Sequence, residues 1–244
     1  MNLAHRAPVA KLGAAVALSI AALTTLDHTA LLTIVMLTLV AAPFFGLTPW
    51  GLLRRGWPVL AAAAGVVLSL SLFSADPTGD VLLDWGPFLV TESVLQTSLA
   101  YALRLLALAL PAVLVYATTE PTDLADSLVQ HLHAPARFAI GALAAFRLVG
   151  LLAEEYRMIT MARRARGVDA GGNPLRWLRL LTGTTFGLLV GAIRRGTRLA
   201  LAMDARGFDS GTPRSIARPI AFEWADWLLV VGTCAIAVAI AVAL

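Results

Sequence analysis

The sequence predicts an all-α membrane protein of about five transmembrane helices, with a cytoplasmic region of one short and two long helices before the last span. Three observations carry this prediction. Apolar residues make up 59% of the 244 and charged residues 14%, against roughly 45–50% and 25% in an ordinary soluble domain. The apolar residues fall into runs long enough to cross a bilayer. The basic residues are segregated: 14 of the 19 Lys and Arg lie between Arg137 and Arg218 with five acids, a local net charge of +9. Such a region is either cytoplasmic or a nucleic-acid surface. The predicted boundaries are 1–117 for a membrane domain of four transmembrane helices, 118–218 for the cytoplasmic helices and 219–244 for the C-terminal transmembrane helix.

Taken in order, Arg6 and Lys11 precede an apolar run to Leu26, expected to be an uncleaved first span because no small-residue cleavage site precedes Asp27. Thr29 to Leu47 is the second. Trp50, Arg54, Arg55 and Trp57 place two aromatic anchors around two cations, an interfacial pattern. The third span covers about Pro58 to Ala75 and the fourth about Val94 to Ala117, with Pro111 as an expected kink. The connection Asp76 to Glu92 has four acids and no Lys or Arg, so it reads as a loop outside, with the amino terminus inside. The run Trp227 to Leu244 is the last span and puts the carboxyl terminus outside. Arg104 is the one cation at membrane depth; it reads as a transport-path residue, or as an Arg that pairs with an acid such as Glu92 or snorkels. Cys234, the single cysteine, excludes an internal disulfide and a cysteine-rich metal site.

Thr118-Thr119-Glu120-Pro121-Thr122-Asp123 has the hydroxyls, proline and acids of a helix start, and this short helix ends before Pro135. His131 and His133 are two apart, share no face and lack a third ligand, so no metal is expected there. A long helix follows over about 138–166, apolar in its first half and charged in its second, where Glu154 and Glu155 read as an ion-paired surface with Arg157 rather than as catalytic carboxylates. A turn at Asp169 to Pro174 leads into a second long helix over about 175–206. In it Gly183, Gly187 and Gly191 recur every four residues, a small-residue face for another helix of this chain or of a different membrane subunit. Arg194, Arg198, Ala202 and Arg206 share an i+4 row. Both long helices close on the same text, Ala165-Arg166-Gly167-Val168-Asp169 and Ala205-Arg206-Gly207-Phe208-Asp209. Glycine supplies the left-handed residue that ends a helix, and Arg faces the negative end of its dipole. Capping explains either copy but not their identity. Two equivalent tips suit a partner with two equivalent sites, such as a symmetric dimer, and the planar guanidinium suits directed bonds to carboxylates and carbonyls.

With TTEPTDLADSL at 118–128, AFRLVGLLAEE at 145–155, ARRARG at 162–167 and AMDARG at 202–207, the chain resembles the transmembrane (T) component of energy-coupling-factor transporters, the family that includes CbiQ. Gly150 departs from it, since relatives usually carry Pro there. The resemblance implies a non-catalytic coupling subunit of an importer for a vitamin or a metal ion such as cobalt, in the plasma membrane. Its implied partners are two ATP-binding-cassette ATPase subunits, each holding one Ala-Arg-Gly box (Ala165, Arg166, Gly167; Ala205, Arg206, Gly207), and a membrane-embedded substrate-binding (S) component carried on the long helices. ATP-driven closure of the ATPases would move the two tips together. No P-loop motif occurs in the chain, so ATP hydrolysis is assigned to the partners and no cofactor is expected here.

Three other readings are weaker. A membrane enzyme clamping an anionic lipid with Arg166 and Arg206, with Asp169, Asp204 and Asp209 on a metal, lacks a nucleophile and an acid cluster at helical spacing. A stand-alone channel or carrier requires polar residues within the spans, and only Arg104 answers. Nucleic-acid binding lacks aromatic platforms.

Overall fold

The computed structural model describes residues 6–73, 81–85, 88–208, 210, 216 and 218–243. The helices are α1 (Pro8–Thr24), α2 (His28–Ala41) continued by a 3-10 turn (Ala42–Phe45), α3 (Pro49–Arg55), α4 (Trp57–Phe73), α5 (Glu92–Ala117), α6 (Pro121–His131), α7 (Ala136–Ala165), α8 (Pro174–Ala205) and α9 (Trp224–Ala243). The all-α class holds, with one addition. In the connection read as a loop, β1 (Val81–Trp85) and β2 (Phe88–Thr91) form an antiparallel hairpin that pairs Val81 with Thr91 and Trp85 with Phe88. Ala75, Asp76 and Leu244, which closed or opened predicted segments, lie outside the described residues. The chain divides into two compact units, residues 1–133 with 220–244, and residues 134–219.

In the first unit, α1 packs on α5, α6 and α9. It does so through alanines: Ala10, Ala14, Ala15, Ala21 and Ala22 are all buried, and small side chains let helix backbones approach where lipid leaves little hydrophobic driving force. Leu18 and Ala22 join Leu31 and Ile34 of α2, Leu52 of α3 and Leu110 and Leu114 of α5 in one core. Local chemistry sets the helix starts. Asp27 Oδ2 accepts from the backbone N–H of Thr29 and of Ala30, both at 3.1 Å, to open α2, and Thr48 Oγ1 accepts from Gly51 N at 3.0 Å to open α3. The hydroxyl caps expected for α6 do not form. Its N-cap is Glu120, without a side-chain bond, and Thr118 Oγ1 instead donates back to Leu114 O at 2.8 Å, closing α5.

Polar residues gather where α1 and α9 begin. Lys11, counted in the sequence as a loop cation, is inside α1 and only 2% exposed. Its Nζ donates to Thr118 O at 3.0 Å, which replaces the water lost on burial. Asp226, 1% exposed, accepts from Ala7 N at 3.3 Å and Glu223 N at 2.9 Å, while Arg6 pairs with Glu223. Val9 N donates to Ser127 Oγ at 3.3 Å and Ile220 N to Gln130 Oε1 at 2.9 Å, so α6 is held to the same cluster. Arg104 is neither paired with Glu92 nor free to snorkel. Its Nε donates to Ala22 O at 3.0 Å and its Nη2 to Leu23 O, so it caps the carboxyl end of α1 and answers carbonyls that the helix leaves orphaned.

By length and composition, four stretches among the described residues could cross a membrane: His28–Phe45, α5, α7 and Trp224–Val242. The α3–α4 pair, bent by 68°, would be a fifth, and α1 is a shorter apolar helix of 17 residues. The bend gives Trp50 and Trp57 exposed positions beside Arg54 and Arg55, at 76% and 66% exposure.

In the second unit α7 and α8 form an antiparallel pair. Asn173 Oδ1 accepts from Leu175 N at 3.0 Å and Arg176 N at 3.4 Å to start α8, with Pro174 in its first turn. α7 runs unbroken through Gly150.

Candidate functional site

The site is built from the two helix ends. α7 stops at Ala165 and α8 at Ala205; in each, the following Arg is the C-cap and the next residue is a left-handed glycine, Gly167 at φ 74° and Gly207 at φ 70°. The bonding is the same in both. Gly167 N donates to Arg164 O and Val168 N to Arg163 O, each at 2.9 Å; Gly207 N donates to Asp204 O at 2.9 Å and Phe208 N to Met203 O at 3.0 Å. This double bond pattern needs a residue with positive φ, which glycine adopts without a Cβ penalty. It leaves Arg166 and Arg206 exposed at the helix ends. α8 is 32 residues long, about 48 Å at 1.5 Å per residue, and the two boxes flank its opposite ends. Asp169 Oδ1 accepts from Ala170 N at 2.7 Å, while Asp209, the matching acid, lies outside the described residues.

Behind the first tip, Arg163 Nη1 donates to Leu180 O at 3.0 Å and to Thr184 Oγ1 at 2.7 Å, fastening the last turn of α7 to α8. Further along, Arg195 Nη2 meets Glu155 Oε2 at 2.6 Å. Glu155 is thus paired, but across to α8 rather than to an Arg of its own helix. The row Arg194, Arg198, Ala202 and Arg206 is exposed throughout. Of the glycine face, Gly183 looks toward Arg163, 4.0 Å from the Cβ it lacks, Gly187 looks into open space and Gly191 toward Arg195, also at 4.0 Å. Among the described residues no group of three or more His, Cys, Asp or Glu converges, and His131 is engaged through Nδ1 with Ser127 O at 3.1 Å.

Two features escaped the sequence. The ties from Arg163 and Arg195 join residues 17 to 40 positions apart, and only the antiparallel pairing brings them together. Between α7 and α8, at the other end from the first tip, lies an apolar groove of about 830 Å3 bordered by Arg137, Arg147, Arg195 and Asp204.

The fold and these caps define a multi-pass helical membrane protein that presents two equivalent arginine tips. The family described as cobalt transport protein, CbiQ, matches residues 1–216, and the chain belongs to this EcfT/CbiQ family of transmembrane components. It is similar to an energy-coupling factor transporter transmembrane protein EcfT of Brevibacillus brevis, with 33% identity over 63% of this chain and 61% of the relative. A second relative, EcfT 1 of Listeria monocytogenes, is 27% identical over 79% of this chain and 74% of its own length. The EcfT of Limosilactobacillus fermentum is 28% identical over 80% and 76%.

Proposed function

We propose that this chain is the non-catalytic coupling subunit of an energy-coupling-factor importer in the plasma membrane, in which Arg166 and Arg206 dock on the two ATPase subunits of a dimer. The observation that carries the reading is the repeated cap. The same bonds and left-handed glycine present an exposed Arg at either end of α8. A partner with two-fold symmetry offers two equivalent receptors, whereas one ligand would need one tip. Ala165 and Ala205 keep the last turn narrow, and Gly167 and Gly207 turn the chain away so that the guanidinium leads. The relatives' names, which describe transmembrane proteins of energy-coupling factor transporters, support the same reading.

In this account the coupling region, residues 118–218, lies in the cytoplasm and at the membrane surface, with the amino terminus inside and the carboxyl terminus outside. α7 has the hydropathy of a span, but its partner α8 does not. A helix fastened to α8 through Glu155 and Arg163, and carrying two Glu and three Arg in its second half, fits an interfacial position better than a transmembrane one. Gly183, Gly187 and Gly191 then offer a small-residue face to the S component, Gly187 being open in this chain. ATP binding closes the ATPases, draws the tips together and tilts the two helices beneath the S component, which releases its vitamin or metal cargo inside.

The test is mass spectrometry of what co-purifies with the full chain in mild detergent. Two ATPase subunits and a small hydrophobic protein are the expected result. Isolation of the chain alone, with turnover of an added phospholipid, would favour the membrane-enzyme reading and overturn this one.

A further inference from the structure

The two compact units of the chain are joined twice, between residues 133 and 134 and between residues 219 and 220. Both joins are fastened to each other within the first unit. Ile220, where the chain returns, donates its N–H to Gln130 Oε1 near the end of α6 at 2.9 Å. Beside this bond the His131 ring lies 5.3 Å from the Phe222 ring, which meets Trp227 of α9 edge-on at 5.4 Å. These residues are in turn tied to the start of α1. Ser127, fully buried on α6, accepts from Val9 N, and Asp226 accepts from both Ala7 N and Glu223 N. Two of the amide donors that a helix start leaves orphaned are therefore answered from α6 and α9.

The outgoing connection is short and has one unusual dihedral. α6 closes at Leu132, whose N–H bonds to Leu128 O, and α7 opens after Pro135, at φ −58°. Pro135 has a locked φ and confines Ala134 to extended conformations. Between these fixed neighbours stands His133 at φ 53°, the one non-glycine residue with positive φ among the described residues. A left-handed residue of this kind persists only where its surroundings hold it. The His133 side chain is exposed, so the constraint comes along the backbone, from the fastened end of α6 on one side and the proline on the other. Hinges are commonly a few such residues at element ends, which absorb the change in φ and ψ.

We propose that Gln130, His131, Ile220 and Phe222 form a clasp that makes one joint of the two connections, with His133 as its pivot. Tying the two roots together puts both crossings at one place, so residues 134–219 turn about a common point instead of being held at two separate ones. The clasp also sets where that motion arrives, because its members are bonded onward to the first turns of α1 and α9. Movement of the arginine tips is thereby delivered to the first and last spans. That consequence rests on the docking role of the tips, whereas the joint itself does not.

The experiment is double electron–electron resonance on the full chain in mild detergent, with spin labels on Cys234 of α9 and on Met161→Cys of α7, both exposed positions. A control pair, Met161→Cys with Phe186→Cys in a Cys234→Ser chain, reports α7 against α8 alone. Otherwise unsubstituted, the first pair should give one dominant distance. Gln130→Ala removes the acceptor for Ile220 N and should broaden that distribution; Gln130→Glu keeps an acceptor oxygen and should restore it. His133→Pro holds φ at about −65° and should move the mean distance. His133→Gly keeps the left-handed state and opens others, so it should broaden the distribution around the original peak. The control pair should not change, and thermal melts of each variant report folding separately. An unbroadened distribution in Gln130→Ala, an unmoved mean in His133→Pro, or a control pair that changes along with the first would each overturn the proposal. ATPase co-purification with the Arg166 and Arg206 variants is read separately, so failure of the joint leaves the docking result standing, and failure of docking leaves the joint.

Discussion

Arg163 and Thr184 are joined at 2.7 Å across the two long helices, one turn behind the first glycine cap. The same guanidinium nitrogen also reaches Leu180 O at 3.0 Å. The first arginine tip is thereby fixed to the helix whose far end carries the second, and motion at one end of α8 has a stiff path to the other. Thr184→Val keeps the side-chain shape and removes the acceptor. It should lower stability by about 1.5 kcal/mol, the low end for one hydrogen bond to a charged group, read as a lower melting temperature in detergent. It should also weaken ATPase stimulation more than ATPase binding, since Arg166 itself is untouched.

The two glycine caps should respond alike. Nothing lies within 4 Å of a Cβ placed on Gly167, so Gly167→Ala meets no clash. Its cost is the left-handed backbone at φ 74°, about 1 kcal/mol. Gly207→Ala should cost about the same, and the double variant about 2 kcal/mol, because sites this far apart add. Asn at either position should cost less than Ala. Unfolding curves of these five variants check this directly.

Arg104 is predicted to be structural. Arg104→Ala leaves Ala22 O and Leu23 O without their donors at the end of α1 and should cost about 2 kcal/mol. Arg104→Lys should recover part of that stability. Transport by the Lys variant, measured in the assembled complex, should stay near wild type. A transport-path residue would instead lose uptake at unchanged stability.

Asp27 gives a pH dependence. The Thr29 hydroxyl, followed by the Ala30 N–H, holds the Asp27 carboxyl below its ordinary value of 3.8. A carboxyl lowered on folding contributes stability that is present above its unfolded value and lost as pH falls through the folded one. Asp27→Ala should therefore melt below wild type at neutral pH, and the gap should close only below about pH 3.8.

Much of this was legible because helix ends and membrane runs are written locally. The glycine that ends α7 and the Asn-Pro that begins α8 are signals spanning two or three residues, and both long helices fall within two residues of where the sequence put them. The hairpin β1–β2 was passed over because its apolar residues do not alternate; Gly86-Pro87 between two apolar runs was the signal that could have found it. Lys11, Asp226 and Arg104 were beyond the sequence. Each is answered by a partner more than 80 positions away, and all three by backbone atoms that no residue pattern encodes. The docking role of the tips stands on their repetition and exposure, not on any internal contact, and so asks for a partner in the experiment.

That experiment is the yield of ATPase subunits co-purifying with the intact chain when Arg166→Glu and Arg206→Glu are introduced singly and together. The account predicts a partial loss for each single variant, near-complete loss for the pair, and an unchanged, monodisperse membrane protein throughout. Wild-type ATPase yield and wild-type uptake by the double variant would contradict it.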